Sequence, residues 1–265
     1  MATARVVITD LTRMSGSRIC VAGYRRLEDG SLSCIRPLFR HGHLEEHWAV
    51  LNHRIVIEPF AVVELDLLFA RPELPHSEDW FIRPSYRLRK GQLSDTGRWS
   101  LCEQIADDSV ASIFGTDILV NGGWFVKRGQ GSRSLGTIRA SIEQVEYQVR
   151  PGGNGWDYRL TFNDGHDSYR LAVTDLAFRY YLDDLRDGVG LSPHQAATQL
   201  ARELAIADQV WLRIGLARGW DRHPDRCYLQ ITGVYSSPDY LGGRCFADFR
   251  MPESPDPLDL AAVPF

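Results

Sequence analysis

Three short apolar runs open the chain, each cut off by turn residues: Val6-Val7-Ile8, Ile19-Cys20-Val21-Ala22 and Leu32-Ser33-Cys34-Ile35. This spacing reads as a β-meander that starts at the amino terminus. Asp29-Gly30, between the second and third runs, is a two-residue hairpin signal in which both residues take φ > 0. A meander in this register presents Arg13, Arg18, Arg25, Arg26 and Arg36 from its rims and open face.

The same logic carries through the chain. Residues 55–69 alternate and then become continuously apolar; Pro59 makes them two short strands or one bent strand. Residues 81–90, FIRPSYRLRK, form a basic extended segment. Ser100 and Glu103 read as a capping box opening a helix over 100–114, which Gly115 stops. Residues 127–136 are rich in Gly, Ser and cations and read as a linker. Strands follow at 137–150, 156–162 and 169–173. Two helices come next, near 175–187 and 193–207, the second announced by Ser192, Pro193 and Gln195. Strands at 210–217 and 227–235 close the pattern. Each half therefore offers about five short strands with one or two helices, a mainly β arrangement with added helices (α+β). It suits a small barrel of the OB type or an SH3-like relative. The expected layout is an OB-like barrel over 1–125, a linker over 126–136, a second barrel over 137–250 and an irregular tail over 251–265.

The chain of 265 residues has no run of the about 18 apolar residues a membrane helix needs, and its first ten residues lack a signal-peptide core, so a cytoplasmic protein without membrane contact is expected. The five cysteines form no CxxC pair and read as buried free thiols. The net charge is −4, so the whole molecule is not a polycation. The charge is uneven, however, with basic excess in 1–55 and 81–140 and acidic excess in 56–80 and 141–265. All cations except Lys90 and Lys127 are arginine. A GC-rich genome explains that bias; a fork for phosphates and base edges is the functional alternative.

Further residues carry a resemblance. They are ITDLTRM, ICVAGY and CIRPL near the start, then PHSEDW, YRLAVTDLAFRYYL, WLRIGLARGW and CYLQITGVYSSPDYL. Together, over roughly residues 5–250, they resemble the dual OB-containing domain family of bacterial proteins. That resemblance implies two tandem OB folds, an association with prokaryotic conflict or defence systems, and nucleic-acid binding. It brings no catalytic residues.

Five constellations could carry function. The first is a basic, aromatic face of the kind on which OB barrels stack bases: Arg13, Tyr24, Arg36, Arg83, Tyr86, Arg87, Arg89 and Lys90, then Trp124, Lys127 and Arg128, with Arg213, Arg218 and Trp220 in the second half. Solvated strand edges are the plainer explanation. The second is the Gly-rich stretch 129–136, which could cradle phosphate but lacks the Walker pattern and reads better as a linker. The third is His41, His43 and His47 with Glu45 and Glu46. No fourth metal ligand is fixed, and a solvated loop is the better reading. The fourth is His76, Glu78 and Asp79, where acid–base or metal chemistry would sit if the chain were an enzyme; a capped turn is the plainer reading. The fifth is Arg13 and Arg218 at equivalent strand ends, either ligand-facing or paired at a domain junction. No nucleophile elbow, HExxH or Rossmann motif is present, and no cofactor is implied. The expected function is recognition of single-stranded nucleic acid or a nucleotide, beside a protein partner that carries any catalysis. A metal-dependent phosphodiesterase or nucleotide hydrolase using His76, Glu78 and Asp79 and a non-catalytic protein–protein scaffold are the alternatives.

Overall fold

A computed structural model of the chain describes residues 2–153 and 155–249. The expected tail over 251–265 lies outside the described residues.

The first barrel begins with three strands, β1 (Ala2–Arg13), β2 (Ile19–Arg26) and β3 (Leu32–Leu38). A two-stranded excursion, β4 (Val50–Leu51) and β5 (Arg54–Ile55), follows, and β6 (Ala61–Ala70) and β7 (Asp79–Gln92) close the barrel. The strand order is β1-β2-β3-β7-β6, with β6 returning to β1. All pairs are antiparallel except β3 with β7. Long β1 makes closure possible. Its first half pairs with β6, its second half with β2, and a bulge between Ile8 and Asp10 bends it. Val6, Ile8, Val21, Ile35, Val63 and Leu65 are wholly buried inside. The coil is tight at Gly23, where a Cβ would stand 2.2 Å from the Val7 carbonyl oxygen. Only glycine fits there.

The hairpin between β2 and β3 departs from expectation. Gly30 has φ +85, but Asp29 is not in the left-handed region, and the loop spans 27–31. Asp29 turns its carboxylate onto Ser31 instead, accepting from the backbone N–H at 2.9 Å and from Oγ at 2.6 Å. That local bond favours a longer turn over the two-residue form.

The expected helix over 100–114 is two helices. α1 (Asp95–Gln104) is capped by Ser94, whose Oγ accepts from Gly97 N–H at 3.2 Å. Ser100 therefore lies inside a helix that starts a turn and a half earlier. α2 (Val110–Ile113) follows Ser109 and ends before Gly115, φ +65. Between the helices Asp107 is held by Arg133 and by Thr137 N–H, which takes the chain out of helical geometry.

The second sheet contains β8 (Leu119–Val120), β9 (Trp124–Lys127), β10 (Leu135–Arg139), β11 (Ser141–Val149), β12 (Trp156–Asn163), β13 (Ser168–Val173), β14 (Gln209–Leu216) and β15 (Arg226–Ser237). Its main path runs β10-β14-β15-β13-β12-β11. β10 and β11 are consecutive in the chain, separated by Ala140 alone, so the sheet curls until its two end strands meet in one bent segment. With β10 and β11 taken as one strand, the order matches the first barrel, including the parallel pair, here β13 with β15. The fold is mainly β, with two OB-like units of the same strand order. α3 (Leu176–Asp187) and α4 (Pro193–Ala205) sit between β13 and β14. α4 carries the expected Ser192–Gln195 capping box and packs on β11.

The stretch 126–136, expected as a linker, is tied down along its length. β9 pairs with β15, Gly129 N–H donates to Leu74 O at 3.1 Å, and Ser132 N–H donates to Phe114 O at 2.9 Å. Its N–H groups are thus taken internally rather than presented as a phosphate cradle.

Buried polar ties lock the two units together. Asp10 on β1 accepts from Arg213 Nε at 3.0 Å and from Thr232 Oγ1 at 2.5 Å. Tyr235 donates to Thr9 O at 2.7 Å, and Arg13 N–H donates to Thr174 O at 2.7 Å. A shared apolar core runs through both units. Among the described residues no helix is long and apolar enough to cross a membrane.

Candidate functional site

In an OB barrel the loops after the first and fourth strands flank the ligand-binding face. In the first barrel these are the β1–β2 loop, 14–18, and the β6–β7 loop, 71–78. In the second they are the β11–β12 loop, 150–155, and the β14–β15 loop, 217–225. Each pair of loops borders a cleft.

The first cleft lies between the barrels and has a volume of about 500 Å³. Arg13, Arg18, Arg36, Arg40 and Arg71 from the first barrel and Arg218 from the second line it, against one acid, Asp10. The second cleft, about 690 Å³, lies on the second barrel. Arg150, Arg159, Arg170, Arg179 and Arg226 line it, against Asp157, together with Trp124, Trp220, His223 and Tyr228. Thr174, Ala217 and Gln230 line both, so the clefts share a wall.

Asp79 on β7 organises the first cleft. Its Oδ1 accepts from Arg36 Nε at 2.6 Å and its Oδ2 pairs with Arg218 at 2.5 Å. Arg36 is 5% exposed. Burial alone would lower its pKa, but the Asp79 carboxylate outweighs that and the net shift is upward. Arg13 pairs with Glu46 at 2.5 Å and also meets the Tyr180 hydroxyl. Arg40 and Arg71 are exposed and lie over Phe69 and Phe81, at 5.7 and 5.4 Å from the ring centroids. In the second cleft Arg159 pairs with Asp157 at 2.7 Å, and Arg170 grips Glu146 with two bonds of 2.6 and 2.7 Å. Arg179 lies over Tyr158 at 4.6 Å, and Arg226 over Phe125 at 4.9 Å. Among the described residues Arg40, Arg71, Arg179 and Arg226 form no ion pair within 4 Å, though Arg71 acts on Glu73 at longer range. Trp220, His223 and Tyr228 follow one another edge to face, with ring centroids 5.7 and 6.1 Å apart.

Arg13, Arg36 and Arg218 thus meet in the first cleft, and Trp124 and Trp220 stand in the second. The others lie elsewhere. Tyr24 is buried, its hydroxyl accepting from Arg213 at 3.1 Å; Arg213 is itself 1% exposed and part of the inter-barrel lock. The basic strand β7 is matched by the acids of its neighbourhood. Arg83 pairs with Asp66, Arg89 with Glu58, Lys90 with Glu64, and Tyr86 donates to Glu64 at 2.5 Å. Arg87 bonds Val50 O and stacks on Trp48. Arg128 pairs with Glu73, and Lys127 is exposed on β9 away from both clefts.

The two carboxylates of the acidic cluster are held in structural bonds. Glu78 accepts from Ser134 N–H at 2.7 Å, Ser134 Oγ at 3.0 Å and Leu135 N–H at 3.1 Å. Asp79 is held by its two arginines. His76 is buried, and neither ring nitrogen has a hydrogen-bond partner. Burial first, and then the charges of Arg36, Arg218 and Arg128, push its pKa down to about 2, so it stays neutral. His43 approaches Arg18, His47 pairs weakly with Glu45, and Glu46 belongs to Arg13 and Tyr180. Among the described residues no group of three or more His, Cys, Asp or Glu side chains could hold a metal.

Arg40, Arg71, Arg150, Arg159, Arg170, Arg179 and Arg226 were not singled out by residue type. Placing the OB loops first would have pointed to Arg71 and Arg150. Arg159 and Arg170 occupy the polar positions of alternating strands.

No curated protein matches the chain. Among solved structures, a murine DNA-binding protein bound with double-stranded DNA is similar at 7% identity. The match covers 89% of this chain and 97% of that one, with TM-score 0.30. The tetrameric p202 HIN2 crystal structure is similar at 9% identity, covering 89% and 91%, with TM-score 0.31. At these scores neither bears on function. The family model for the dual OB-containing domain matches residues 5–234, most of the chain. With the repeated strand order described above, this chain belongs to the dual OB-containing domain family.

Proposed function

We propose that the protein binds single-stranded nucleic acid along the two adjoining clefts. The observation that carries this reading is their lining: eleven arginines against Asp10 and Asp157, on walls that meet at Thr174, Ala217 and Gln230. Several of these guanidinium groups keep donors free of any carboxylate, and those groups neutralise phosphates. The aromatic line of Trp220, His223 and Tyr228 favours unpaired bases, which can leave their own stack to lie on it. A duplex keeps its bases stacked and offers such rings little.

The two barrels are the units of recognition. The carboxylates of the His76–Glu78–Asp79 cluster are held in structural bonds, which supports an accessory role beside a catalytic partner, in a bacterial defence system as the family resemblance implies. The free thiols fit a cytoplasmic setting.

Retention of labelled single-stranded and duplex DNA and RNA, at low and moderate salt, tests this. Four arginines without an ion pair, on a single strand, give a slope of log K against log salt of about −3. No retention of any strand at micromolar protein and low salt refutes the reading.

A further inference from the structure

The first cleft has a floor its neighbour lacks. Arg36 and Arg218 share the single carboxylate of Asp79, so the three groups sum to one positive charge. Beside them stand Arg40 and Arg71, without an ion pair among the described residues and stacked on Phe69 and Phe81, two rings whose centroids are 5.1 Å apart. Arg71 is anchored next to the floor, its N–H donating to the Asp79 carbonyl at 2.8 Å. With the Glu78 carboxylate, which also acts on Arg36, these groups carry a surplus of two positive charges. Arg36, 5% exposed, also keeps its Nη2 without a hydrogen-bond partner. That donor is enclosed, so it adds positive charge beneath the cleft that an anion on the floor would offset.

We propose that this cleft seats the terminal phosphate monoester of a nucleotide, either free or at the end of a strand. The proposal rests on the polyanion reading of the clefts and deepens it. A phosphodiester inside a strand carries one negative charge. A monoester carries nearly two at pH 7, its second pKa being about 6, and comes closer to matching the surplus. The volume of about 500 Å³ suits a nucleotide-sized ligand. Leu38 and Phe81, half-buried on the walls, give the base and sugar an apolar surface.

Calorimetric titration with adenosine 5′-monophosphate and with adenosine tests the phosphate requirement. Adenosine is expected to bind at least about tenfold more weakly, the loss of one charge-assisted contact set. Arg40→Ala and Arg71→Ala, each at unchanged melting temperature, are expected to lower affinity for the monophosphate by about tenfold. A thymidine oligonucleotide carrying a 5′-phosphate, a 3′-phosphate or only hydroxyl ends separates the two sources. Preference for a phosphorylated end assigns the cleft to strand ends; a monophosphate bound without such preference assigns it to a free nucleotide. Equal affinity for adenosine and its monophosphate, together with equal affinity for all three oligonucleotides, overturns the proposal. So does an unchanged phosphate preference in Arg40→Ala and Arg71→Ala. Arg226→Ala in the neighbouring cleft is expected to weaken all three oligonucleotides alike. Loss of every oligonucleotide with the monophosphate still bound refutes strand binding and leaves this proposal standing.

Discussion

His76 makes the fold sensitive to acid, and the size of the effect follows from its surroundings. The side chain is buried beside three arginines, with both ring nitrogens unpartnered and a pKa near 2. In the unfolded chain a histidine titrates near 6.5. Below pH 6.5 the unfolded chain therefore binds a proton that the folded chain refuses. Stability falls as pH falls, through the window from 6.5 down to about 2. Each pH unit in that window removes about 1.4 kcal/mol, so about 2 kcal/mol is lost by pH 5. Asp175 works the other way. Burial, opposed by N–H donors from Val234, Phe178 and Ala177, raises its pKa to about 7, so its contribution falls as pH rises from 3.8 to that value. Comparison with His76→Leu isolates the histidine, because Asp175 is common to both proteins. Leucine is similar in size and leaves no polar atom without a partner, so the substitution is close to neutral at pH 8. Urea unfolding of parent and variant at pH 8 and pH 5 measures the difference. The variant is expected to gain about 2 kcal/mol on the parent between the two conditions. Equal pH dependence in both proteins would show that the buried ring is not excluded from protonation, and the reasoning would fail.

Three further outcomes are expected. Asp79→Asn leaves Arg36 and Arg218 without their shared counter-charge, and denaturant unfolding should show a loss of about 3–5 kcal/mol. Gly23→Ala places a methyl 2.2 Å from the Val7 carbonyl and should lower the melting temperature by an amount equivalent to about 3 kcal/mol; an unchanged melting temperature would mean that β1 and β2 are not in this register. Arg179→Ala and Arg226→Ala should each reduce the salt slope of single-strand binding by about 0.7, read by fluorescence anisotropy, with little dependence on base sequence.

Elements defined by local chemistry were legible in the sequence. The Ser192-Pro193-Gln195 start of α4, the start of α3 near Asp175, and the strands β1, β2, β3, β12, β13, β14 and β15 all follow from turn residues and period within a few positions. The helix over 100–114 failed because Asp107 is claimed by Arg133, a partner 26 residues away that no local rule weighs. The site was less legible for the same reason. Arg218 reaches Asp79 across 139 residues, and only the docking of two barrels brings them together. One further signal lies in the charge pattern. The acidic block 56–80 directly precedes the basic block that opens 81–140, and opposite charges in consecutive strands are what an antiparallel pair neutralises across its ladder. Glu64 and Asp66 on β6 against Arg83 and Lys90 on β7 are that pairing. Read this way, the most basic segment of the chain is the one whose charge is already matched.

The lock between the barrels bears on how any strand must be held. Asp10, Arg213 and Thr232 tie the two barrels through buried bonds, so the relative placement of the adjoining clefts is set by the protein and not by a guest. The proposed binding track is then of fixed length. On the proposed reading, a strand long enough to pass the shared wall of Thr174, Ala217 and Gln230 engages both clefts, and a shorter one engages a single cleft.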